Sequence, residues 1–157
     1  MRGDVDGDLD LDVDLDLDVD VDLDLELKFR SRLMKQELEI IRAARKARNL
    51  SYAPYSRYKV GAALQTQSRK IFTAANVENA SYSLTMCAER AVIFKAFSEG
   101  ERRFKALAIA AGPGKKPWPC GACRQVLWEL AGDIDILVVQ GKQSTKRKLS
   151  KLIPEPF

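Results

Sequence analysis

Residues 104–140 read FKALAIAA (104–111), GPGKKPWP (112–119), CGACRQVLWELA (120–131), GD (132–133) and IDILVVQ (134–140), and this stretch decides the fold. The first segment is apolar except for Lys105 and predicts a strand. The second has four Pro and Gly among its first six residues, which predicts a loop. The third predicts a helix with Val126, Leu127 and Leu130 on one face. The last, residues 134–140, is an apolar run of the kind that forms a strand buried on both faces. Strand, helix and strand in succession predict an α/β domain, with a three-layer α-β-α sandwich as its architecture.

Upstream, residues 87–97 are apolar apart from Glu89, Arg90 and Lys95. They predict a helix buried on most sides, in a core or against another subunit. Residues 59–67 and 71–75 predict a strand pair joined through residues 68–70. Residues 49–57, with Pro54 among them, are rich in turn signals. Residues 34–48 predict a helix, because Met34, Leu38 and Ile41 fall at i, i+4 and i+7 with Arg and Lys opposite.

The chain has 157 residues, enough for one ordinary domain, and is 46% hydrophobic and 31% charged. Its net charge of +4 conceals a split. Residues 1–27 hold twelve acids and one arginine, whereas residues 28–157 hold twenty-five Lys and Arg against ten acids. From Asp4 to Leu27 acids alternate with Val, Leu or Gly. Aspartate is a poor strand former, and such a strand would line up like charges about 7 Å apart. The expectation is therefore a disordered acidic extension over residues 1–33 and a globular domain over 34–157. The aspartates lack the glycine turn and distal glutamate of a calcium loop. No apolar run approaches the roughly 18 residues of a membrane span, and the N-terminus carries no secretory signal. Three cysteines, an odd number, point to a reducing compartment and a cytoplasmic location.

There is no histidine. Ser-His-Asp triads, Cys-His dyads, H-E-x-x-H zinc proteases and Cys2His2 fingers are thereby excluded. All three cysteines lie in two short motifs, Cys87-Ala88-Glu89 and Pro119-Cys120-Gly121-Ala122-Cys123. Both are predicted at helix N-termini, where free N–H groups and the positive dipole end stabilise thiolates. Three thiolates fill three tetrahedral positions on zinc, and an open fourth marks a catalytic rather than a structural site. Glu89 stands beside that set as the one acid in a mostly apolar helix. The predicted cofactor is one zinc per chain, on Cys87, Cys120 and Cys123.

These two motifs and their separation resemble the cytidine deaminases. So do Tyr52 to Leu64, Asn76-Val77-Glu78-Asn79-Ala80-Ser81-Tyr82, Cys120 to Leu127, and Leu152-Ile153-Pro154-Glu155-Pro156-Phe157. The zinc-deaminase signature is H-x-E with P-C-x-x-C, and three cysteines are allowed. Cys87 occupies the His position, as in the small homotetrameric branch of the family. The resemblance implies a mixed five-stranded sheet between helices. It also implies hydrolytic deamination of cytidine and deoxycytidine to uridine and deoxyuridine with release of ammonia, a reaction of pyrimidine salvage.

It further implies roles for individual residues. Glu89 moves protons from water to N3 and to the departing amine. Arg90 hydrogen-bonds the ligand sulfurs, and the Ala88 backbone N–H holds the base O2. Asn76 and Glu78 bind the ribose 3′-hydroxyl, both pointing the same way from an extended segment. Tyr58 lies against the pyrimidine, Tyr82 joins an intersubunit network, and Phe157 reaches into a neighbouring subunit's site. The expected assembly is a homotetramer with composite sites. Trp118 departs from the small polar residue usual before Pro119, which bears on the shape of the pocket mouth. Met34 stands where relatives commonly begin.

Two other readings compete. A blasticidin-type aminonucleoside deaminase shares both motifs but lacks the N-x-E segment as it stands here. An RNA- or DNA-binding editing protein would suit the basic domain and the run Lys146-Arg147-Lys148, but the acidic segment would compete with phosphates. A nucleoside is therefore the expected partner, with neither membrane nor nucleic acid.

Overall fold

The computed structural model describes residues 18–113 and 116–156, with side chains from residue 23 onward. Its elements are helix α1 (Asp18–Arg48), strands β1 (Val60–Thr66) and β2 (Ile71–Ala75), helix α2 (Ala88–Ser98) and strand β3 (Phe104–Ala111). Helix α3 (Gly121–Ala131) and strands β4 (Asp135–Gln140) and β5 (Gln143–Lys148) follow. Short 3-10 turns occupy Tyr82–Leu84 and Leu149–Lys151. The chain divides into two units between Lys35 and Gln36.

In the second unit the strands form one sheet in the order β2-β1-β3-β4-β5. β1 runs antiparallel to both neighbours, β3 and β4 are parallel, and β5 returns antiparallel to β4. The mixed five-stranded sheet is thus present. α3 makes the crossover that a parallel pair requires.

Alternation along the strands assigns a layer to each face. Val60, Ala62 and Leu64 of β1, Leu107 and Ile109 of β3, and Ile136 and Val138 of β4 bury with Val92, Ile93 and Ala96 of α2 and Leu127 of α3. The intervening Ala63, Ala106, Ala108, Ala110, Leu137 and Val139 meet Ile40, Ile41 and Ala44 of α1. That second face is mostly alanine, so the helix can approach closely. Gly61 shows how closely: a Cβ there would lie 2.2 Å from the Arg48 nitrogen and 2.3 Å from the Ala44 carbonyl oxygen.

Two differences from the sequence reading stand out. α1 begins at Asp18, not at residue 34, so residues 18–33 are helical where an unstructured segment was expected. Leu, Glu, Lys and Arg over that part favour helix, and Lys28 pairs with Asp24 one turn away at 2.7 Å. Residues 1–17 of the expected extension lie outside the described residues. Strand β5 was not predicted from local pattern, because QSTKRK has no apolar alternation and is largely exposed.

Candidate active site

The two cysteine motifs meet because α2 and α3 pack on one face of the sheet with their N-termini side by side. Cys87 caps α2 and Cys120 caps α3, both in extended backbone, and neither side chain makes a capping hydrogen bond. Their sulfurs are left for other partners, with Cys123 in the first turn of α3. The three Sγ atoms lie within 4.8 Å of one another, and those of Cys120 and Cys123 are 3.5 Å apart.

The cluster favours a negative sulfur at Cys87. A hydrogen bond from the Cys123 thiol, and then Arg90, holds Cys87 well below the ordinary cysteine range. Cys123 is pushed up, because it donates that bond and is buried. Arg90 Nη2 lies 3.7 Å from Cys87 Sγ and donates to the Thr85 carbonyl at 3.2 Å. Its buried Nε has no hydrogen-bond partner among the described residues. Three soft donors, no imidazole and a cation at their edge fit zinc with a fourth position open. Arg90 would offset part of the thiolate charge.

A cavity of about 580 Å³ opens onto this cluster, lined by Tyr58, Asn76, Cys87, Ala88, Glu89, Trp118 and Cys120 among others. Glu89 is only 6% exposed, and burial pushes its carboxyl up to about 7, with the Cys87 charge adding to the effect. Tyr58 is raised too, by burial and then by Glu89, so its phenol stands within electrostatic reach of that carboxylate. A buried carboxyl near neutral pKa beside a metal-ligand cluster is suited to proton transfer.

Asn76 and Glu78 separate. Asn76 faces the first cavity as a hub: Oδ1 accepts from Val60 N at 2.8 Å and Ser51 Oγ at 2.6 Å, and Nδ2 donates to Tyr58 O at 3.0 Å. Glu78 lines a second cavity of about 310 Å³ with Tyr55, Ser56, Tyr82 and Thr85. Its carboxylate accepts from the Ser56 hydroxyl, from Tyr55 N at 2.9 Å and from Ser56 N at 3.2 Å. The Ser56 hydroxyl is the main cause holding it below the usual carboxylate range. Between the two, Val77 bridges to Tyr52 on one side and to Met86 on the other. Thr85 lines both cavities.

Ala88 is fully buried at the start of α2. Tyr82 is 76% exposed and meets Tyr55 edge-on, ring centroids 6.2 Å apart. Phe157 lies outside the described residues. Sequence reasoning did not single out Arg124, whose Nε donates to Pro119 O and Nη1 to Leu152 O, both at 2.7 Å. It ties the second cysteine motif to the C-terminal segment, and its place directly after Cys123 was the available signal. Within the basic run, Lys146 pairs with Glu37 and Asp135, and Lys148 pairs with Asp135.

The family model for the cytidine and deoxycytidylate deaminase zinc-binding region matches residues 34–139. A cytidine deaminase of Sporosarcina psychrophila is 42% identical over 121 residues, 76% of this chain and 89% of that protein. A crystal structure of cytidine deaminase from Burkholderia pseudomallei superposes with a TM-score of 0.73 at 41% identity, covering 76% of this chain and 97% of that one. A blasticidin-S deaminase of Bacillus cereus is more distant, 27% identical over 130 residues, 78% of this chain and 92% of that protein.

Proposed function

The chain belongs to the cytidine and deoxycytidylate deaminase family, and from that premise we propose that it converts cytidine and deoxycytidine, with water, to uridine or deoxyuridine and ammonia. One observation carries the reading: a buried carboxyl, Glu89, shares a cavity with the three-sulfur cluster.

Cys87, Cys120 and Cys123 would hold one zinc per chain, which when bound supplies the Lewis acidity that makes water nucleophilic near pH 7. Glu89 takes a proton from water as the water oxygen bonds to C4 of cytosine, and passes it to N3. It then carries the remaining proton of that oxygen to the amino group. The C4–N bond breaks, ammonia leaves, and C4 keeps the oxygen as a carbonyl. With a pKa of about 7, Glu89 can both accept and donate near neutral pH.

The Ala88 N–H holds the base O2, and Tyr58 lies along the ring. Asn76 reaches the sugar from the cavity wall, and Glu78 acts beside it across Thr85. A site built to hydrogen-bond a hydroxyl discriminates against sugars lacking it. The 3′-hydroxyl is common to ribose and deoxyribose, which supports acceptance of both.

The assembly in this reading is a homotetramer with Tyr82 in its subunit network and Phe157 crossing into a neighbouring site. Exposed Leu50, Tyr52, Tyr55, Val77, Tyr82 and Leu84 on the segments around the cavities support a subunit surface there. Three free thiols support a reducing, cytoplasmic setting for a salvage enzyme. Among the described residues no helix is long and apolar enough to cross a membrane.

The deciding assay follows loss of ultraviolet absorbance on cytidine, blasticidin S and a cytosine-containing oligonucleotide. Turnover of cytidine is the expected result. Activity confined to either of the others overturns the reading.

A further inference from the structure

Strand β5 carries no residue of either cysteine motif, yet one of its faces holds a wall of the first cavity. Thr145 and Arg147 stand two apart, so they share a face. They pair with Val138 and Ile136 of β4, which belong to the core beneath α2 and α3. Lys146, between them, lies on the other face and meets Glu37 of α1.

On the shared face, Lys116 Nζ donates to Thr145 Oγ1 at 3.2 Å. The Arg147 guanidinium lies 5.5 Å from the centroid of the Trp118 ring, within cation–π range. Lys116 and Trp118 line the cavity together with Cys87, Glu89 and Cys120, and Trp118 also packs on the core. The indole is thus fixed from two sides, two residues before Cys120, on the wall of the cavity that Cys87, Glu89 and Cys120 also line.

In the proposed reaction C4 must sit beside the sulfurs and Glu89, so the nitrogen on C4 enters the cavity that these residues and Trp118 line together. We propose that Trp118 limits the size of the group that can leave from C4, and that Arg147 is a positioning residue that holds its ring. An unsubstituted amino group fits, whereas an N4-alkyl group meets the indole. The inference rests on the cytidine-deaminating reading of the cavity.

The test compares kcat/KM for N4-methylcytidine and cytidine in the wild type, Trp118→Ser, Arg147→Ala and Arg147→Lys. In both substrates water adds at C4 and the C4–N4 bond breaks, giving uridine with methylamine or ammonia. Trp118→Ser should raise the ratio of N4-methylcytidine to cytidine efficiency about tenfold or more, the discrimination a packed pocket draws from one methyl-sized group. Arg147→Ala, at an exposed position that leaves the core intact, should raise it about threefold, and Arg147→Lys should restore it by keeping the cation.

In a Trp128→Phe background Trp118 is the sole indole. There Arg147→Ala should shift the emission to longer wavelength, and unmoved emission overturns the positioning role. A wild type inert toward cytidine overturns the proposed function, and this inference with it. A wild type active on cytidine, with both variant ratios within about twofold of its own, overturns the inference alone.

Discussion

Arg90 and Cys87 are joined across the first turn of α2: the Arg90 Nη2 that bonds the Thr85 carbonyl also lies 3.7 Å from the Cys87 sulfur. The contact favours the thiolate over the thiol, after the hydrogen bond from Cys123. In metal-free protein, Arg90→Ala should therefore move the first thiol ionisation to higher pH, followed by thiolate absorbance. An unchanged titration would show that the cation does not act on the sulfur.

Glu89→Gln should retain zinc and fold while losing turnover by about 10²–10⁴-fold, the usual contribution of a general acid–base group. The stability of metal-free protein supplies a second readout. Burial raises the Glu89 carboxyl from 4.5 to about 7, so the folded chain binds a proton that the unfolded chain releases across that interval. Wild type should lose stability relative to Glu89→Gln as pH rises from 4.5 to 7, and hold a constant deficit above. Parallel unfolding curves across this range would place Glu89 in a solvated setting.

Wild type should carry one zinc per chain and Cys87→Ala should carry none, because two thiolates leave the tetrahedral set half filled. Metal analysis of dialysed protein measures it. Stoichiometric zinc in that variant would remove Cys87 from the ligand set.

Gly61→Ala should cost about 3 kcal/mol, toward the upper end for overpacking. The added methyl meets backbone atoms of Arg48 and Ala44, which cannot rotate aside as a side chain can. Chemical denaturation measures the loss, and a stability within about 0.5 kcal/mol of wild type would mean that α1 lies farther from β1.

A chain starting at Met34 should match the full chain in zinc content, subunit count and turnover. It keeps Ile40, Ile41, Ala44 and Ala47, the buried face of α1, whereas the side chains of residues 23–32 are exposed. Size-exclusion chromatography with multi-angle scattering and the cytidine assay check it. Loss of assembly or activity would make the preceding segment structural.

What could be read from the chain alone was what burial and chemistry write into neighbouring residues. The apolar patterns of residues 104–111 and 134–140 marked β3 and β4, and the paired motifs around Cys87 and Cys120 selected three sulfurs and a carboxylate without any imidazole. Tertiary structure decided the remainder. β5 is held by backbone bonds to β4 at a sheet edge, so exposed polar side chains leave no period to detect. The N-x-E spacing suggested a common direction for Asn76 and Glu78, but amides of Tyr55 and Ser56, far off in sequence, draw the carboxylate into its own cavity. The same holds for Arg147 over Trp118. Burial repeats along a segment and so leaves a pattern in the sequence, whereas a contact between distant segments exists only once the sheet has brought them together.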